Sequence, residues 1–167
     1  MQITKASKHI VVKSVISFIV IFGAFHTFNA SGWYFAYEQQ PYLRCLPYEL
    51  SLIKQHTFQV DDISRGSLVA VKTDKYAKYY QKDIKLLKAV VGLPGDVIDM
   101  TNNKLAINNI VFGTLMRDET FQPFTETKFT LKKDEFFVVG TSKTALDSRI
   151  IGPISSSDII GYGYAIL

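Results

Sequence analysis

Between Ile10 and Phe28 the chain runs for 19 residues in which only Lys13 and His26 are ionisable, and its middle, Val15–Phe25, reads VISFIVIFGAF. About 20 apolar residues in a helix cross a bilayer, and a lysine near one end of such a span snorkels to the interface. Three readings fit this segment: an uncleaved anchor, a cleaved signal peptide, or a buried helix of a soluble protein. The charge-free middle is of signal-peptide length. Against cleavage, Phe28-Asn29-Ala30 puts Phe where an outer small residue belongs, although Ser31 and Gly32 keep that reading open. The span and its flanks favour the anchor, and either of the first two readings exports the rest. Lys5, Lys8 and Lys13 precede or enter the span, and no charge follows until Glu38. By the positive-inside rule the N-terminus is then cytoplasmic, and Trp33, Tyr34 and Phe35 lie in the outer interfacial belt. Residues 1–36 are therefore expected to form a cytoplasmic tail, anchor helix and interfacial belt, with residues 37–167 an exported domain.

Charge and cysteine content narrow the function of that domain. The formal net charge is +4 over 167 residues, but three of those lysines lie before Tyr37, so the remainder carries only +1. That balance excludes an electrostatic nucleic-acid binder. A single cysteine forbids an intrachain disulfide. Three histidines (His9, His26, His56) and no Cys-x-x-Cys argue against a closed zinc site. A chain of this length buries a sufficient core without such staples.

After Pro41 the sequence reads as short apolar or alternating runs separated by turns. The runs are Leu68–Val71, Leu86–Val91, Val97–Met100, Leu105–Val111, Thr127–Leu131, Glu135–Val139 and Ile159–Ile166. Arg65-Gly66, Leu93-Pro94-Gly95-Asp96, Asn102-Asn103, Asn108-Asn109, Lys132-Lys133-Asp134 and Gly152-Pro153 punctuate them. The pattern predicts a mainly β, sandwich- or barrel-like domain. Lys72–Lys85 is the expected helix or polar excursion, and about 100–127 a small subsidiary lobe.

Three positions carry potential chemistry. Lys88 lies within Leu86-Leu87-Lys88-Ala89-Val90-Val91, where alternation puts it on one face with Leu86 and Val90. A lysine enclosed there is partly desolvated, which disfavours the ammonium, the form a lysine base must lose. The alternative is an edge-strand lysine facing solvent. Just beyond, Pro94 and Gly95 suit a type II turn leading into another strand. Cys45, in Arg44-Cys45-Leu46-Pro47-Tyr48, is either a small buried hydrophobe or a nucleophile presented beside a fixed-φ proline. Asp147-Ser148-Arg149, with Gly152-Pro153 after it, would ordinarily be a solvated turn with a local ion pair.

The order of these segments resembles the type I signal peptidases, membrane-anchored Ser-Lys peptidases, and most closely their conjugative-transfer branch, TraF. Lys88-Ala89-Val90-Val91-Gly92-Leu93-Pro94-Gly95-Asp96 resembles that family's lysine box, and Arg65-Gly66-Ser67-Leu68-Val69-Ala70-Val71 its preceding Arg-Gly-Asp strand box. Asp147-Ser148-Arg149 with Gly152 is similar to its Asp-Ser-Arg-x-x-Gly box, and Cys45-Leu46-Pro47 occupies the nucleophile box, where TraF-like members have Ser-x-Pro. The likeness runs from the anchor to about Gly152. The departures are Cys45 for the usual Ser, Leu43 where a Ser lends a hydroxyl to the oxyanion hole, and Ala145 where a Ser orients the lysine. Thr144 and Ser142 are the nearby hydroxyls that would replace the last.

The resemblance implies a signal-peptidase-like β fold and a peptidase whose catalytic residues are Cys45, Lys88 and Asp147. Cys45 attacks a peptide carbonyl, Lys88 takes the thiol proton and returns it to the leaving amine, and water or a substrate amine resolves the thioester. The Cys45 backbone N–H is the expected oxyanion donor. Asp147 orients the lysine or its own loop, and Arg149 pairs within that loop. Because a thiol ionises more readily than a hydroxyl, a thiolate–ammonium pair offers a second working form. The implied partners are an exported precursor, by analogy a conjugative pilin with possible head-to-tail cyclisation, membrane lipid and the conjugative machinery. No cofactor and no nucleic acid are implied. The implied location is the bacterial inner membrane, with a periplasmic domain. Two rivals remain: an inactive membrane-tethered β scaffold of a transfer apparatus, and a soluble repressor-type Ser-Lys autoprotease. The apolar span and the lack of a helix-turn-helix disfavour the second rival.

Overall fold

The computed structural model describes residues 5–37, 45–56, 60–80, 83–115, 121, 124–142 and 145–167. It divides into two units, one ending at Tyr34 and one running from Phe35 to Leu167. The first contains helix α1, Lys5–Ala30. Its stretch His9–Ala30 is long and apolar enough to cross a membrane. The large apolar side chains from Ile10 to Phe25 are exposed along it. A helix apolar all round, with no buried face of its own, is the pattern of a membrane span rather than of an amphipathic surface helix.

The second unit is built from antiparallel strands, as the alternation predicts. Strand β1 is Trp33–Tyr37, so the aromatic residues expected at an interface open a strand. Then come β2 (Leu50–Gln55), β3 (Leu68–Val71), β4 (Leu86–Gly92), β5 (Val97–Asp99), β6 (Lys104–Ile107) and β7 (Ile110–Thr114). Strands β8 (Lys128–Thr130) and β9 (Glu135–Val139), the one-turn helix α2 (Ser148–Ile151), β10 (Ile154–Ser155) and β11 (Ile159–Ala165) complete the chain. One sheet has the order β1-β2-β11-β3-β4-β9-β10 and the other β7-β6-β5-β8. The fold is mainly β.

The run Leu105–Val111 is two strands rather than one. Asn108 and Asn109 both take positive φ, at 52° and 65°, which closes a tight hairpin between β6 and β7. Among the described residues, Lys72–Lys85 contains one 3₁₀ turn, Asp74–Lys78, capped by the Thr73 hydroxyl accepting the Lys75 N–H. Leu93-Pro94-Gly95-Asp96 forms the expected turn, with Gly95 at φ 86° and the Asp96 N–H donating to the Leu93 carbonyl at 3.0 Å.

Two apolar clusters fill the domain. The larger packs Val69, Val71, Tyr76, Val90, Phe136, Val138, Leu146 and Ile150 on one face of the long sheet. The smaller joins Val91, Ile98, Leu105, Leu131 and Phe137 beneath the short sheet. Gly92 lies where β4 passes between the two sheets. A Cβ there would lie 2.7 Å from the Phe137 Cβ and 2.9 Å from Leu131, so only glycine lets the layers meet. Asp96 fastens the turn that follows. Its carboxylate accepts the Leu93 N–H at 2.6 Å, Asn108 at 2.7 Å and Arg65 at 2.8 Å. Burial pushes the Asp96 carboxyl up, but these hydrogen bonds and the Arg65 charge outweigh it and hold it below the usual carboxylate range. The Arg-Gly segment and the turn after the lysine strand are thereby tied together, and Arg65 also donates to the Val91 carbonyl.

Candidate active site

Lys88 sits at the middle of the long sheet. It pairs with Val69 across β3, and its side chain shares the face that carries Val69, Leu86 and Val90. It is 0% exposed, and its Nζ has no hydrogen-bond partner among the described residues. The edge-strand reading is therefore overturned: β4 is an interior strand, flanked by β3 and β9. An interior lysine with no partner is costly, because burial removes the hydration of three N–H donors.

The β4–β9 register brings the other residues to this point. Ala89 pairs with Val139 and Val90 with Val138, so Lys88, one residue further, stands level with Gly140. Side chains of opposed residues in an antiparallel pair lie on the same face. On that face a Cβ at Gly140 would meet the Cys45 carbonyl oxygen at 2.5 Å and the Ala145 Cβ at 2.6 Å. The backbone of Cys45 thus lies over Gly140, on the side toward which Lys88 projects. It is fixed there by the Thr141 N–H, which donates to the Cys45 carbonyl at 2.6 Å. Cys45 itself is half-buried and makes no disulfide. A cleft of about 190 Å³ opens beside it, lined by Cys45, Leu46, Tyr48, Glu49, Leu86 and Leu87 among others.

Asp147 approaches Gly140 from the opposite direction. As N-cap of α2 it accepts the Arg149 N–H at 3.1 Å, and it accepts the Gly140 N–H at 2.8 Å. The Arg149 side chain completes a bidentate pair, Nε to Oδ1 at 2.8 Å and Nη2 to Oδ2 at 2.5 Å. Arg149 Nη2 also donates to the carbonyls of Gly140 and Ser142. The side chains of Asp147 and Arg149 are 0% and 6% exposed, so the expected solvated turn is instead a buried ion pair. Ser148 is buried too, its hydroxyl accepting the Val138 N–H at 3.0 Å. Of the two orientations open to Asp147 in the sequence, all its bonds go to the loop and to Gly140, and none to Lys88.

Cys45, Lys88 and Asp147 thus converge on one residue, Gly140, which sequence reasoning did not single out. Its signal was a lone glycine closing a strand before Thr141-Ser142, a mark of close backbone approach. Ala145, buried against Gly140, carries no hydroxyl toward the lysine. Ser142 reaches Arg149 through its carbonyl, while Leu43, Arg44 and Thr144 lie outside the described residues. Tyr76, from the 3₁₀ turn, was also missed. It is 1% exposed, and its hydroxyl, like the lysine nitrogen, has no hydrogen-bond partner among the described residues. Burial pushes its phenol far above the ordinary value, with electrostatic contributions from nearby acidic groups, Asp147 first, adding to the effect. Among the described residues no group of three or more His, Cys, Asp or Glu is arranged to hold a metal ion.

The site thus lies in a small antiparallel β domain that encloses a lysine without a hydrogen-bond partner among the described residues. The model of the signal peptidase family, peptidase S26, matches residues 3–167. The chain belongs to that family. It is similar to signal peptidase I P of Bacillus subtilis subsp. natto, 28% identical over 111 residues, which are 60% of this chain and 57% of that protein. The chain thus spans little more than half the length of that curated relative. A crystal structure of a signal peptidase I from Enterococcus faecalis V583 aligns with 60% of this chain and 95% of its own at 18% identity, with a TM-score of 0.44.

Proposed function

We propose that this protein is a membrane-anchored endopeptidase that processes an exported precursor, with Cys45 as nucleophile and Lys88 as general base. The observation that carries the reading is the lysine: fully enclosed, without a hydrogen-bond partner among the described residues, and level with the glycine over which Cys45 is clamped. A buried polar group without a partner is an unfavourable feature that folds tolerate chiefly at working sites.

Cys45 Sγ attacks the scissile carbonyl as Lys88 takes its proton, and the same proton passes to the leaving amine. The acyl-enzyme is a thioester, resolved by water or by an amine of the substrate. The Cys45 backbone N–H stabilises the oxyanion. Asp147 is a positioning residue: with Arg149 it fixes Gly140 and Ser142, which flank Thr141, and Thr141 fixes Cys45. The cleft lined by Leu46, Leu86 and Leu87 receives the apolar residues before the cut. Helix α1 is the anchor, with a cytoplasmic N-terminus and the β domain in the periplasm, at the bacterial inner membrane. The Cys45-Leu46-Pro47 spacing supports the TraF-like branch, and with it a conjugative pilin precursor as substrate and the transfer machinery as partner.

Replacement of Cys45 by Ala tests this reading. Mass spectrometry of the pilin precursor, co-expressed with the wild type or with Cys45→Ala, is expected to show cleaved pilin only with the wild type. Continued processing by the variant would remove Cys45 from the mechanism. No processing by either protein would favour the membrane-tethered scaffold.

A further inference from the structure

The two edges of the four-stranded sheet are built differently. Strand β8 is three residues long and carries Lys128, which pairs with Asp99 at 3.4 Å. A short strand with a charge is a common guard against another chain adding on. Strand β7 is five residues long, Ile-Val-Phe-Gly-Thr, and has no charged side chain. It pairs with β6 on one side, and among the described residues no strand lies on the other. All five of its residues are exposed, Ile110 at 74%, Val111 at 61% and Phe112 at 54%.

The edge is fixed at both ends. At its start the Asn108 side chain accepts the Val97 N–H at 2.8 Å and donates to Asp96 at 2.7 Å. At its end the buried Leu115 donates its N–H to the Asn103 carbonyl at 2.9 Å. A strand held in this way loses little further freedom when it pairs. Val111 pairs with Ala106 and Gly113 with Leu105, so Phe112 is the extra residue of a bulge, with no opposite number on β6. A bulge can twist an edge away from partners, yet this one leaves three successive apolar side chains more than half exposed.

We propose that β7 is a dimerisation edge, pairing antiparallel with β7 of a second copy about a two-fold axis at Phe112. Such an interface is isologous, so the strand has to complement itself. In this register Phe112 faces Phe112 of the copy, an aromatic cross-strand pair. Val111 falls opposite Gly113, where an added Cβ meets nothing within 4 Å, so the larger side chain has room. The only charge in the β6–β7 ladder is Lys104, which pairs with Thr114. Four residues along and three strand spacings across put it about 20 Å from its counterpart, beyond the roughly 10 Å over which salt screens charge. A strand is favoured over lipid as the occupant, because an open edge presents backbone N–H and C=O groups that hydrocarbon cannot satisfy. Five residues a side fall well short of the about 20–30 in a standard interface, so the dimer dissociates on dilution. The proposal does not depend on the roles of Cys45 and Lys88.

Sedimentation velocity of the full chain, with detergent micelles in excess over protein, tests the dimer. The wild type is expected to pass from monomer to dimer as its concentration rises. Phe112→Lys sets two ammonium groups face to face and is expected to weaken association about 10-fold or more, with an unchanged far-ultraviolet circular-dichroism spectrum. Interchain cross-linking on a Cys45→Ala background then reads the register. Phe112→Cys is expected to form a disulfide with its own copy on mild oxidation. Ile110→Cys is not, because its counterpart lies about 14 Å away. A wild type that stays monomeric at every concentration overturns the proposal, as does a dimer undiminished by Phe112→Lys. Preferential cross-linking through Ile110→Cys overturns it too. In nanodiscs holding one copy each, quenching of a fluorophore on Phe112→Cys by spin-labelled lipid would assign the strand to the bilayer and discard the dimer.

Discussion

Two ionisable side chains, one acidic and one basic, are buried on either side of Gly140, and the fold treats them in opposite ways. Asp147 is surrounded: two backbone N–H groups and an arginine fork occupy both its oxygens. Lys88, an equally buried residue at the centre of the sheet, has no hydrogen-bond partner among the described residues. A saturated ion contributes rigidity and is held in one geometry. An unsatisfied amine gains no hydrogen bond from its surroundings. Under the proposed mechanism, structure and reactivity are thereby separated into neighbouring residues, with the rigid pair holding the frame in which the amine sits.

Four substitutions probe that contrast. The largest effect belongs to Lys88→Met, which is expected to lower precursor cleavage by about 10³-fold or more while raising thermal stability, because an apolar side chain of similar volume replaces an unpaired buried amine. A fall in melting temperature would mean that the lysine is satisfied after all. Asp147→Ala should do the reverse to the fold and cost about 3–5 kcal/mol in denaturant unfolding, since it strands Arg149 in the interior. If Asp147→Ala were instead tolerated, the frame would not depend on the pair. Gly140→Ala comes next, with about 2–3 kcal/mol lost and slower turnover, as its methyl drives the Cys45 carbonyl away from Thr141. Circular-dichroism melts and peptide cleavage read the two effects together.

The smallest effect is that of Asp96→Asn, a loss of about 1 kcal/mol at neutral pH. The folded Asp96 carboxyl lies below its unfolded value, so its contribution is complete above about pH 4 and fades as acidity protonates the folded state. Melts of the variant and the wild type should converge on acidification. A difference that persists unchanged at pH 2 would assign the effect to shape rather than charge.

Features encoded by neighbouring residues were legible in the sequence. Pro94 and Gly95 specify their turn by backbone preference alone, and the apolar runs around Lys88 and Phe136 announce strands. Strand β2 was missed because its most buried positions are Ser51 and Ile53, so a polar residue interrupts the alternation. That Trp33, Tyr34 and Phe35 open a strand was not read from the sequence, because aromatic residues suit both a strand and an interfacial belt. The burial of Asp147 and Arg149 was invisible for a different reason. A charge pair in a short turn is ordinarily solvated, and only the return of β9 with Gly140 covers this one. The site residues were found through the order of their boxes. The residue on which they converge came only from packing across distant segments.

The clamp on Cys45 grips main-chain atoms: a carbonyl, an amide and the bare Cα of a glycine. Those contacts hold the backbone, so under the proposed mechanism the fold fixes the address of the reacting atom. Oxygen in place of sulfur at that address leaves the described backbone contacts as they are. Cys45→Ser asks whether the amine alone decides which nucleophile the scaffold will run.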